Sequence, residues 1–244
     1  MLVIGLAAVT VLATLLGGLL ALRAKDRFHL VLGLSAGLLL GLVGFDLLPE
    51  VFEMGSGELG GVKTVSIALI AGFLSLHFIE QFAGSHEPAE SEYHSDHTHA
   101  FEIAGTVGAF AMAGHIFLDG VALALAFKVS NALGIAVFIA MIVHAFSDGL
   151  NTVALLVKLG QWTQRGKFLL GIDAIARISG AILGSTLVIS DSAIAIYLAA
   201  FSGIVIYLAT SHILPEAHAN HPTRATMLAT LTGVLIMWGV VVTF

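Results

Sequence analysis

Apolar positions fall in long, nearly uninterrupted runs along this chain, and polar residues gather between them. Measured against the roughly 20 residues a bilayer-spanning helix needs, eight runs qualify: 1–22, 29–50, 63–84, 102–128, 132–158, 168–189, 192–215 and 225–244. The pattern predicts an all-α polytopic membrane protein, one transmembrane domain over 1–244 with eight transmembrane helices. The first run begins at Met1 with no basic n-region and no small-residue cleavage site. It is expected to be a retained helix and not a signal peptide.

Composition sharpens the picture. The 244 residues are 58% hydrophobic and 11% charged, with a mean hydropathy of +1.00, where a soluble domain carries roughly 25% charged residues. The net charge of -6 comes from loops and helix ends, and no basic stripe points to nucleic acid. With no cysteine, disulfides, thiolate metal sites and a cysteine nucleophile are excluded. Lysine and arginine then orient the chain. Arg23, Lys25 and Arg27 lie between spans 1 and 2, Lys158, Arg165 and Lys167 between 5 and 6, and Arg224 between 7 and 8. Lys63 and Lys128 fall on the other side, and Arg177 inside a span. Since cytoplasmic loops are enriched in these residues, both termini are expected to be external.

Two motifs recur. "GLLLGLVGFDLLPE" (37–50) in span 2 and "GIVIYLATSHILPE" (203–216) in span 7 share a Gly…Leu-Pro-Glu frame. "HIFLDG" (115–120) in span 4 and "HAFSDG" (144–149) in span 5 are a second pair. Pairing 2 with 7 and 4 with 5 predicts an inverted pseudo-repeat, an arrangement that in transporters places the binding site near the midplane.

The central pair carries the chemistry. Residues four apart share a helix face, so His115 with Asp119 and His144 with Asp148 can each hold one ion from one side. The connection between these spans centres on Ser130–Asn131. At 1.5 Å per residue, both pairs then lie roughly 20 Å from it, level with each other inside the hydrocarbon layer. Two aspartates there are costly, about 2.5–3.5 kcal/mol each on insertion scales, and need counter-charge. A divalent cation supplies it. Nitrogen and oxygen donors in four positions suit zinc, and also accept iron(II), manganese, cobalt or cadmium. The alternative is that each histidine bonds its own aspartate and merely joins helices; two copies at equal depth favour the metal.

Elsewhere, Asp46 and His212 occupy equivalent repeat positions and are expected on the ion pathway, with Glu216 close by. His77 and Glu80 share a face without an assigned role. The polar 85–101 loop, "SHEPAESEYHSDHTHA" and the residue after it, carries His86, His94, His97 and His99. It is expected to be a flexible cytoplasmic segment that either binds metal weakly or serves as a solvated linker.

Nearly the whole chain resembles the ZIP (ZRT/IRT-like) family of divalent metal transporters, which have eight helices and external termini. "HIFLDG" and "HAFSDG" are similar to the family's His-Asn-x-x-Glu-Gly type motif on helix 4 and its His-x-x-x-His/Glu motif on helix 5. "GFDLLPE" and "SHILPEAH" are similar to its Leu-Pro-Glu motifs on helices 2 and 7. Departures are equally informative. Leu118 and Ser147 stand where the family often has proline, while Gly120 and Gly149 still allow close packing. Members with a second metal use positions that match Ile116, Ala145 and Arg177 here, the last through "ARISGAILG". None of these can ligate a cation. The resemblance therefore implies a mononuclear site, with Arg177 standing where a second ion would; an Asp173–Arg177 ion pair within helix 6 is the simpler use of that arginine.

The expected function is transport of a divalent transition metal, zinc foremost, with the metal as substrate and no organic cofactor. The resemblance implies uptake toward the cytoplasm across the plasma or inner membrane. The partners are the metal ion and the bilayer, and a homodimer is compatible with such a chain. Two rivals remain. A cation-diffusion-facilitator-like exporter typically has six spans and a soluble tail. An intramembrane zinc hydrolase needs an open metal position and a base, and no His-Glu-x-x-His is present; the chain is read as no enzyme.

Overall fold

The computed structural model describes residues 1–21, 28–83, 98–158, 164–219 and 224–243. These form eight helical rods, one over each predicted run. They are α1 (Leu2–Ala21), a composite rod of α2 (Phe28–Leu42), a π turn (Val43–Leu47) and α3 (Leu48–Met54), then α4 (Thr64–Ala83), α5 (Thr98–Val129), α6 (Asn131–Lys158) and α7 (Gln164–Thr186). A second composite rod follows, α8 (Asp191–Leu208), a π turn (Ala209–Ile213) and α9 (Leu214–Ala219), and then α10 (Arg224–Thr243). Among the described residues, four stretches are long and apolar enough to cross a bilayer by length and composition: Leu2–Leu20, His29–Met54, Asp191–His218 and Arg224–Thr243. One short element lies outside the all-α expectation. Glu58–Leu59 and Val62–Lys63 pair as an antiparallel ribbon. Gly60 and Gly61 turn it at φ of 60° and 79°, the left-handed pair that a two-residue type I′ hairpin requires.

Local sequence explains the breaks. Ser130 alone separates α5 from α6, and its hydroxyl accepts the Leu133 N–H at 3.0 Å, capping α6. Ser190 caps α8 in the same way by accepting from Ala193. The two π turns have a common cause. Pro49 and Pro215 each stand two residues past one, and a proline offers no N–H and crowds the carbonyl four residues back. The turn before it widens, so Leu48 donates to the carbonyl of Val43 and Leu214 to that of Ala209, five residues back in each case. Asp46 and His212 sit inside these two turns, a geometry that recurs at functional sites.

Packing divides the rods into two groups. α5 lies chiefly on α7 and α1 on α6, while α2 lies on α10 and α4 on α8. The groups meet where α2 crosses α6 and α5 crosses α8. The second half of α5, Val121–Ala126, is buried all round, so it runs through the centre of the molecule. By contrast α1 exposes Leu12, Leu16 and Leu19, and α10 exposes Leu228, Leu231, Leu235 and Trp238. Apolar stripes of this extent call for an apolar solvent.

Candidate metal centre

α5 and α6 run side by side, and each presents its histidine and aspartate one turn apart toward the other. The Nε2 atoms of His115 and His144 are 3.2 Å apart, at hydrogen-bond distance in one tautomer. His115 Nε2 lies 3.7 Å from Asp119 Oδ2, and His144 Nε2 lies 3.4 Å from Asp148 Oδ2. Donor atoms of His115, Asp119 and His144 all fall within 4.8 Å of one another. His144 and Asp119 are buried, and His115 and Asp148 nearly so. The fold thus brings three of the four residues picked out by spacing, His115, Asp119 and His144, into one cluster, and holds Asp148 against His144 and Arg177 at its edge.

These distances suit a small cation. Four donors about 2.0–2.2 Å from a tetrahedral ion lie roughly 3.3–3.6 Å from one another. The observed separations of 3.2, 3.4 and 3.7 Å bracket that range. The site is also short of partners: Nδ1 of both histidines and Oδ2 of both aspartates are buried without a hydrogen bond. Each such orphan costs about 1–3 kcal/mol, and a cation held between the imidazole Nε2 atoms and the carboxylates would offset that of the two Oδ2 atoms.

Arg177 completes the cluster from α7. It is 1% exposed. Its Nη1 lies 3.6 Å from Asp119 Oδ2 and its Nη2 lies 3.8 Å from Asp148 Oδ2, close enough for Coulomb attraction but too long for hydrogen bonds. Both guanidinium nitrogens remain orphaned. The helical pair with Asp173 does not form as a salt bridge among the described residues; that aspartate, one turn back, is itself buried and lines the same tight gap as Arg177 and Thr14. Arg177 therefore faces the centre and not its helical neighbour. Ile116 and Ala145, the other two matching positions, are fully buried and offer no donor.

Close helix approach sets this geometry. α5 and α6 continue as helix through Leu118 and Ser147, without a break. A Cβ on Gly120 would overlap the Arg177 carbonyl, and one on Gly149 the Thr14 carbonyl, so each glycine lets its helix sit directly on a neighbouring backbone. Tyr197, which sequence reading passed over, donates from α8 to the Leu118 carbonyl at 2.7 Å, just before Asp119. Nothing in the spacing around it signals this role. Tyr197→Phe is expected to lower stability by about 1 kcal/mol, read as a shifted melting midpoint in detergent, with only a small change in metal binding.

Beside the centre is a cavity of about 10 Å³, lined by His115, Asp119 and His144 and otherwise by apolar side chains that include Leu42, Met141, Phe201 and Leu208. It holds about one water-sized occupant. Leu42 and Leu208 immediately precede the two π turns, so Asp46 and His212 lie about a turn beyond the cavity along their rods. Asp46 is half-buried, while His212 and Glu216 are exposed; the fold does not bring them into the centre. His77 meets Tyr207 instead, Nδ1 to hydroxyl at 3.3 Å, and the Tyr207 ring also packs near His212. The histidine-rich segment, with His86, His94 and His97, lies outside the described residues. His99 falls in the first turn of α5, with its side chain outside the description.

Residues 83–240 match the sequence model of the family described as "ZIP Zinc transporter". The chain belongs to the ZIP zinc transporter family. Among ZIP relatives, it is 25% identical over 242 residues to the zinc transporter ZupT of Corynebacterium aurimucosum, covering 93% of this chain and 91% of that one. It is 26% identical over 262 residues to ZupT of Corynebacterium glutamicum, covering 96% and 95%. The zinc transporter YKE4 of Saccharomyces cerevisiae is 25% identical over 227 residues, which cover 82% of this chain and 66% of the yeast protein. The ZIP match takes in α5 to α9 and most of α10, and with them all four residues of the centre and Arg177.

Proposed function

We propose that this ZIP chain carries a divalent transition metal, zinc foremost, across a membrane toward the cytoplasm, through one ion site made by His115, Asp119, His144 and Asp148. The observation that carries this reading is the cluster of buried imidazole Nε2 and carboxylate Oδ2 atoms at near-tetrahedral spacing on α5 and α6, with both Oδ2 atoms lacking a hydrogen bond. All eight rods serve as spans, with both termini external. Charge supports a single ion. Asp119, Asp148 and the buried Asp173 with Arg177 sum to two negative charges, which one divalent ion brings to zero; a second ion would leave two positive charges in a water-poor site.

An inverted repeat suits the alternating exposure such a carrier needs. The same interval separates Asp46 from His212, Gly37 from Gly203, and Leu34 from Ala200. Gly37 and Gly203 each press on a neighbouring rod's backbone, at Thr230 and Leu69. Gly120 and Gly149 are spaced like the two histidines and the two aspartates, and press on α7 and α1. The π turns fall at matched positions as well. Asp46 then serves the external half of the path, and His212 with Glu216 the cytoplasmic half.

The test is uptake of a panel of divalent metals into vesicles that hold the purified protein. Saturable uptake of zinc, with cadmium competing and calcium inert, is expected; oxygen-only calcium would find too few ligands. Absence of saturable flux for every metal would overturn the reading, and flux only out of the cytoplasmic face would reverse its direction. Imidazole must be neutral to bind metal. Zinc uptake is therefore expected to fall in acid, and a flat profile through the histidine range would contradict histidine ligation.

A further inference from the structure

The oxygens that face the imidazoles are the ones that face the guanidinium. Asp119 Oδ2 lies nearest both His115 and Arg177, and Asp148 Oδ2 nearest both His144 and Arg177. A metal bound to those oxygens and the resident cation cannot both hold them. Arg177 is fully buried, so its charge cannot simply retreat into water. Among the described residues one other buried carboxylate is near: Asp173, 7% exposed, in the gap it shares with Arg177, Thr14 and Leu170. It stands four residues before Arg177 on α7, on the side toward which helical side chains lean, so a guanidinium released from the centre has that turn to fold back on. An acid preceding a base at this spacing is the favourable order for a helical pair.

We propose that Arg177 and Asp173 form an arginine switch that deepens the metal-site reading and rests on it. Before metal arrives, the guanidinium lies between Asp119 and Asp148 and offsets one of their two charges. As the ion takes their Oδ2 atoms, the guanidinium turns back one helical turn and pairs with Asp173. Asp173 is then a positioning residue: it touches no metal, yet binding depends on it because it receives the displaced charge. The device keeps the buried guanidinium paired both with and without the ion, which a carrier that must return unloaded requires.

The test is zinc binding to the purified full chain in detergent, by calorimetry, with Asp173 and Arg177 varied singly and together. Asp173→Asn keeps the shape and removes the charge, and is expected to weaken zinc binding about tenfold, the worth of a charge-assisted hydrogen bond. Asp173→Glu restores the charge and should recover most of that loss. In an Arg177→Gln background the Asp173→Asn effect should vanish, because no guanidinium needs a second partner. Unchanged zinc affinity in Asp173→Asn, or an equal loss with and without Arg177, would overturn the switch. If Arg177→Gln fails to fold, the contrast between Asn and Glu at 173 still decides, since equal weakening by both would also overturn it. Failure of the underlying site looks different: Asp119→Asn would then bind zinc as the parent does.

Discussion

Vesicles carrying Asp119→Asn are expected to take up zinc at least about 100-fold more slowly than the parent at low metal concentration. Loss of an outer-shell partner alone costs roughly 10–100-fold in many metal sites, and Asp119 is placed to bind directly. The asparagine has nearly the same shape, so packing against the buried turn around it is preserved. Two things change together. The metal loses an anionic ligand, and Arg177 loses the nearer of its two carboxylates, at 3.6 Å. The second change leaves a buried cation less well compensated, so the melting midpoint should fall too, by an amount equivalent to about 1–3 kcal/mol. A variant that keeps its fold and its uptake would show that Asp119 serves only to neutralise Arg177. Asp46→Asn makes the useful contrast. It lies outside the centre, in a half-buried π turn, and is expected to slow uptake without abolishing zinc binding.

Gly120→Ala is the smallest substitution expected to damage the protein severely. The new methyl would overlap the Arg177 carbonyl oxygen and lie 2.8 Å from the Ala181 nitrogen. Backbone atoms of a helix cannot step aside singly, so α5 and α7 must separate along the face that carries both Asp119 and Arg177. Overpacking of this kind typically costs about 1–3 kcal/mol, and here the movement also opens the centre. Both the melting midpoint and zinc affinity should fall. Gly114→Ala on the same helix is the control, because nothing lies within 4 Å of its added carbon. That change should be neutral or stabilising by about 0.5–1 kcal/mol, with uptake unaltered. Equal behaviour of the two variants would show that the α5–α7 contact does not support the centre.

Much of this arrangement could be read from spacing because helices convert sequence intervals into faces. His115 with Asp119 and His144 with Asp148 had to share faces once their runs were helical, and the single-residue break at Ser130 fixed their common level. The repeated Leu-Pro-Glu frames located both π turns without revealing them: the proline was visible, but widening of the turn depends on how the rod is held on either side. Arg177 was less legible. Intervals along α7 favour Asp173, whereas packing of α7 on α5 turns the guanidinium to Asp119 and Asp148. A contact between distant segments, like the bond from Tyr197 to the Leu118 carbonyl, leaves no periodic trace. The Gly60–Gly61 hairpin did carry a local signal, two adjacent glycines between short extended stretches, hidden by its position at the edge of an apolar run.

X-ray absorption at the zinc edge, on purified protein loaded to saturation, tests the central claim most directly. One bound zinc per chain is predicted, with two imidazole nitrogens and carboxylate oxygens about 2.0–2.2 Å away, and with the imidazole signal reduced in His115→Ala and in His144→Ala. A shell of oxygens alone, or one that neither substitution alters, would contradict it.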